Sequence, residues 1–225
     1  MDDKTKVNGY PLDMFNANLL NYTVGACEYN NGYFVPANSM FPVKLKGNIG
    51  VRPITLEIDF EGNSIKDITM SISDFTSMLQ SKAEILLPDG FNYTCCFDDV
   101  SEPEQKAPWI MQVKFSLSGY RHGAMEFATL TGNSTLSVKG NYETPAIIKI
   151  IPNDATQEVT VNGITVKNIT DTVVIDGINK TVMENGVNKF LDTNLTEFPA
   201  LKSGNNNIEI SGNATVEISY YPIYL

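Results

Sequence analysis

The chain has 225 residues, a formal net charge of −10, 42% hydrophobic and 19% charged residues, so it has the composition of packed globular domains and excludes an intrinsically disordered chain. A nucleic-acid binder needs a basic surface to neutralise phosphates, and the one concentrated basic run, Lys44, Lys46 and Arg52, is too thin to supply it. No apolar run reaches the ~20 residues of a membrane span, and the polar start Met1-Asp2-Asp3-Lys4 has no signal-peptide core.

Length alone allows one large domain or two small ones. Three cysteines, Cys27 and the adjacent pair Cys95-Cys96, give neither a disulfide framework nor CxxC metal spacing, and are expected in the core. Asn-x-Thr triplets at Asn21, Asn92, Asn133, Asn168, Asn179, Asn194 and Asn213 follow from a chain rich in Asn and Thr rather than from glycosylation.

In chain order, Val7-Asn8-Gly9-Tyr10 has a strand-and-turn signature. Residues 22–35 are expected to form a hairpin turning at Asn30-Asn31-Gly32, with Tyr22, Tyr29, Tyr33 and Phe34 on its faces. Pro36 and Pro42 then mark an exposed, irregular stretch. From 51 to 60, Ile54, Leu56, Ile58 and Phe60 alternate with Thr55, Glu57 and Asp59, the period of a strand with one buried face. Ile65, Ile68, Ile72, Phe75, Met78 and Leu79 recur at helical steps, which predicts a helix over 65–81 behind a Ser64 N-cap.

Strands resume at 83–88. Phe91–Val100 and Trp109–Ser118 are expected to pair across the polar connection 101–106. One helix among antiparallel strands suggests a small α+β barrel or half-barrel. Beyond residue 131 the helical period disappears. Short strands are expected at 145–151, 158–161, 164–168, 171–175, 180–183, 207–211 and 214–221. They are separated by Asn162-Gly163, Asp176-Gly177, Asn185-Gly186, Ser203-Gly204 and Ser211-Gly212 turns, the rhythm of an antiparallel β-sandwich. The fold class is mainly β, with domains 1–140 and 141–225.

Chemistry is sparse. The sole histidine, His122, lies in a Gly-flanked, turn-like segment and is expected at the surface. No serine sits in a GxSxG elbow, no Gly-rich loop leads into a helix with Lys-Ser or Lys-Thr, and Asp98-Asp99 is expected at a solvated strand end. A catalytic role, a cofactor and a metal are not expected.

The order of these segments carries a resemblance. Phe60-Glu61-Gly62 precedes a helix with Ile72-Ser73-Asp74-Phe75. Ile85-Leu86-Leu87-Pro88-Asp89-Gly90-Phe91 follows, and Gly140-Asn141-Tyr142-Glu143-Thr144-Pro145 opens the second half. The chain closes with Phe198-Pro199-Ala200-Leu201-Lys202-Ser203-Gly204-Asn205 and Ile218-Ser219-Tyr220-Tyr221-Pro222. The whole resembles the distal tail protein family of siphophages and prophages of Gram-positive bacteria.

The resemblance implies a virion structural protein at the tail tip, assembled in the host cytoplasm. It would have an N-terminal split-barrel domain that closes into a hexameric ring with a belt hairpin, and a C-terminal galectin-like β-sandwich. Its partners would be copies of itself, the tail tube protein, the tail-tip protein and a receptor-binding protein. The 22–35 hairpin suits the ring contact, although it could pack on its own domain. Two other roles fit the pattern: a tail-tube subunit, or a carbohydrate-binding sandwich or adhesin in which Tyr220, Tyr221 and Tyr224 stack on a host surface glycan.

Overall fold

The computed structural model describes residues 5–37, 41–45, 47–154 and 158–225. The polar start Met1–Lys4 and Lys46 of the basic run lie outside the described residues. The chain divides into two compact units, Met1–Arg121 with Leu225, and His122–Tyr224.

In the first unit, period-two alternation does what it predicts. The Arg52–Glu61 strand buries Ile54, Leu56, Ile58 and Phe60 and turns Thr55, Glu57 and Asp59 the other way. It is sandwiched antiparallel between Ala17–Val24 and Ile110–His122, with Leu56 facing Tyr22 on one side and Phe115 on the other. The sheet runs in the order Tyr10–Pro11, Lys6–Val7, Ala83–Leu86, Asn92–Val100, Ile110–His122, Arg52–Glu61, Ala17–Val24. Gly119 lies tightly against the neighbouring Asn92–Val100 strand. A Cβ there would lie 2.5 Å from the Thr94 carbonyl oxygen, so a larger residue would push the pair apart.

The helix spans Ile65–Leu79, two residues shorter than expected. The Ser64 hydroxyl accepts from the Asp67 backbone N–H at 3.1 Å, satisfying one of the orphan donors of the first turn. Ile68, Phe75 and Leu79 are buried on the sheet, with Ile72 and Met78 half-buried. Ile65 departs from the expected stripe: it and Trp109 are more than half exposed and line an open surface depression. Phe75 is the centre of the core, with ring centroids of Phe115, Phe15 and Phe60 at 5.0, 5.4 and 5.6 Å, all edge-on. The expected polar connection 101–106 is partly a strand, Glu104–Ala107, folded back on Ile110–His122 through a bulge.

The second unit has a main sheet in the order Glu126–Leu130, Ala214–Tyr220, Thr144–Pro152, Val173–Asp176, Thr181–Glu184, Val187–Asn188. Shorter pairs complete it: Ser134–Val138 with Gly204–Ile208, and Ile164–Lys167 with Glu158–Val161 and Ile210–Ser211. Their inward residues, among them Ile148, Ile150, Val159, Val161, Val173 and Ile218, form a core of their own. Asn162-Gly163 and Asn185-Gly186 both take the doubly positive φ (48° and 79°, 50° and 77°) that a two-residue hairpin requires.

The stretch read as one strand at 207–211 is two. Gly204–Ile208 pairs with Ser134–Val138, and the chain then switches to Glu158–Val161. At the switch, Asn162 Oδ1 accepts from Glu209 N at 2.8 Å and Asn133 Oδ1 from Ile210 N at 2.7 Å. Two side chains thus replace the missing ladder bonds. The units divide at Arg121/His122, not near 140. The turn-rich composition change at 131–141 lies inside the second unit, because Glu126–Leu130 and Ser134–Val138 pair with strands some 70–90 residues later.

Phe75→Ala should destabilise the protein by roughly 3–5 kcal/mol, since it empties the centre of a close-packed aromatic cluster. A denaturant titration compared with wild type measures it.

Candidate functional site

The distinctive surface feature of the first unit is an arm within residues 25–50, described over 25–37, 41–45 and 47–50. At its root, Gly25 N–H donates to Pro53 O at 2.8 Å and the buried Arg52 guanidinium donates to Gly25 O at 3.0 Å. A Cβ on Gly25 would lie 2.6 Å from the Pro53 ring, so the chain leaves the sheet where only glycine fits closely. Further out, Tyr29–Asn30 pairs with Asn48–Ile49 and Tyr33–Phe34 with Val43–Lys44. Among the described residues of the arm, none belongs to the core cluster of its unit. Tyr29, Tyr33 and Phe34 are each 57–59% exposed, and Val35, Phe41, Val43 and Leu45 are exposed as well.

This corrects the expected 22–35 hairpin. Neither Asn31 nor Gly32 takes positive φ, so the two do not form a primed turn. They lie between two ladder segments of the outgoing strand, and the return strand comes from residues 43–49. Tyr22 is separated from the other three aromatics. It belongs to Ala17–Val24, opposite Leu56, and packs half-buried on the core.

The remaining expected sites also change. His122 is buried, 2% exposed, at the end of the Ile110–His122 strand. Its Nδ1 lies 2.8 Å from Gly123 O, and its ring meets the Tyr221 ring at 4.9 Å, so it is not a surface histidine. Tyr220 is equally buried, and its hydroxyl accepts from Lys139 N at 3.2 Å, which leaves it no face for a sugar. Tyr221 and Tyr224 are half-buried.

Cys27 and Cys95 are buried, but Cys96 is exposed, because adjacent residues of a strand face opposite ways. Burial pushes the Cys95 thiol up to about 12, which makes it a poor nucleophile. Asp98 and Asp99 lie within the Asn92–Val100 strand, where Asp98 accepts from the Ser118 hydroxyl at 2.6 Å. No group of His, Cys, Asp and Glu able to hold a metal ion occurs among the described residues.

One cluster was missed in the sequence. Lys189 Nζ sits 2.6 Å from Glu184 Oε2, 3.3 Å from Asp192 Oδ2 and 2.7 Å from Asn168 O. Glu184 Oε1 also accepts from the N–H groups of Thr170 and Asp171. Burial alone would raise the Glu184 carboxyl, but the Lys189 ammonium and these N–H donors outweigh it and hold it at about 2. The signal available was Glu184 and Lys189 flanking the Asn185-Gly186 turn. The cluster fixes a loop that displays Leu191 and Val187 to solvent.

Residues 139–224 match the model of the siphovirus-type tail component, C-terminal domain. The fold of the chain is similar to that of the SPP1 Dit protein, described as a paradigm of the hub adsorption apparatus in phages infecting Gram-positive bacteria, with TM-score 0.75 and 12% identity over 98% of both chains. It is also similar to chains of the phage p2 baseplate in its activated conformation with Ca and with Sr, with TM-scores 0.61 and 0.60 and 12% identity, covering 92% of this chain and 90% of theirs. No curated protein sequence matches the chain. Its half-barrel and sandwich-like sheets agree with the mainly β, one-helix expectation.

The Glu184 carboxyl titrates below its ordinary 4.5 in the folded protein, so its contribution to stability is complete above pH 4.5 and is lost as pH falls from there towards 2. Thermal melts between pH 6 and 2 (about the range in which carboxylates titrate) should show this loss, and Glu184→Gln should flatten that part of the profile.

Proposed function

We propose that this protein is the non-catalytic hub of a siphophage tail tip. Copies join head to tail into a six-membered ring through the arm of residues 25–50. The ring connects the tail tube protein to the tail-tip protein, and the sandwich unit faces the receptor-binding apparatus. The protein is assembled in the bacterial host and resides at the tip of the virion tail.

The observation that carries this reading is the arm. An isolated two-stranded ribbon is marginal in water, and this one adds a row of exposed aromatic and aliphatic side chains that its own core leaves uncovered. A neighbouring copy offers what it lacks, an apolar surface and unpaired strand edges. A heterologous contact of this kind makes a closed ring when the rotation between copies closes. Each contact should bury more than ~1,000 Å² to hold a stable ring.

The same fold in a hub protein supports the role, and a shape-based role agrees with the burial of His122 and Cys95.

Light scattering after size exclusion, with negative-stain imaging, tests this. The expected result is a discrete ring of six copies. Replacing residues 29–49 by a short Gly-Ser linker should give a monomer with an unchanged melting temperature, because Glu28 and Gly50 already meet through a 2.7 Å backbone bond. Tyr33→Ser with Phe34→Ser should weaken assembly at least tenfold, in line with the loss of two buried aromatic anchors. Long stacked tubes would indicate a tube subunit, and rings that persist without the arm would overturn its role.

A further inference from the structure

In the second unit, the Asn162-Gly163 turn and the segment 194–201 enclose a groove of about 320 Å³. Its apolar lining includes Ile164 and Leu195, which belong to or pack against the sandwich core. Its rim is polar and largely unspent. Asn162 uses Oδ1 to hold Glu209 N, and Asn194 uses Oδ1 to hold Thr165 N at 2.7 Å and one Nδ2 proton to hold Gly163 O at 2.9 Å. Both carboxamides are therefore fixed in orientation. The Nδ2 protons of Asn162, the second Nδ2 proton of Asn194, the Thr196 hydroxyl and the Glu197 carboxylate have no partner among the described residues.

We infer that this groove is a saccharide-binding site, distinct from the tyrosines of the last strand. A sugar ring offers an apolar C–H face for Ile164 and Leu195 and a rim of hydroxyls that both donate and accept. Such hydroxyls match the amide donors of Asn162 and Asn194 and the carboxylate acceptor of Glu197 in the lining. Orienting groups already locked by backbone bonds lose little freedom when the ligand arrives. The volume lies at the small end of ligand sites, ~300–1,000 Å³, which suits one or two sugar rings rather than a long chain. The groove lies wholly within the sandwich unit and does not depend on the ring.

Saturation-transfer NMR of the intact protein with glucose, galactose and N-acetylglucosamine tests the site. Transfer to at least one of the three is expected. Glu197→Gln and Thr196→Ala, both exposed and outside the core, should each weaken it about tenfold, the cost of a lost hydrogen bond to a charged or oriented group. Their unchanged melting temperatures would show that the fold is intact. Tyr224→Ala should leave binding as it was. No transfer to any of the three sugars, transfer that survives both groove substitutions, or transfer lost only on Tyr224→Ala would overturn the assignment.

Discussion

Both units depend on one constraint, that the two sides of a strand's backbone must be paired while its two faces meet different surroundings. Arg52–Glu61 and Thr144–Pro152 are the strands that satisfy it most fully. Each is central, each is paired on both edges, and each alternates buried and half-buried residues along most of its length. A one-residue slip of either would turn its whole apolar row outward. The helix, the aromatic cluster and the switching strand after Ile208 are arranged around these two registers.

Where the pairing runs out, the protein uses side chains or extends. In the sandwich unit, Asn133, Asn162 and Asn194 supply the bonds that a strand change or turn leaves missing. In the first unit the chain leaves the sheet between Gly25 and Arg52 and carries its aromatics beyond any local core. The first device closes the fold on itself. The second leaves those side chains exposed.

The groups that might have suggested catalysis are committed to structure. His122 is packed against Tyr221, Cys95 is held protonated by burial, and the Tyr93 hydroxyl, raised by burial and by the carboxylate of Asp89, bonds that carboxylate at 2.5 Å. Glu184 and Lys189 neutralise one another to hold a loop. What stays available is of another kind: exposed apolar side chains on the arm, and oriented amides around the sandwich groove.

The sequence determined the local structure wherever one periodicity ran without interruption. The Ile54–Phe60 alternation, the helix behind Ser64 and the Asn-Gly turns at 162 and 185 depend on neighbours in the chain, so they were legible there. The order of segments also pointed to the tail-protein fold. Tertiary structure decided the rest. Asn31-Gly32 has turn chemistry, yet the partner of its strand lies beyond residue 42, and that pairing, not the dipeptide, sets the conformation. The division between units, the burial of His122 and Tyr220 and the Glu184–Lys189 clamp all arise from strands distant in sequence that meet only in the folded chain. Local preferences amount to a fraction of a kcal/mol to ~1 kcal/mol per residue, whereas burying an aromatic or pairing a charge outweighs them, so contacts made at long range have the final say.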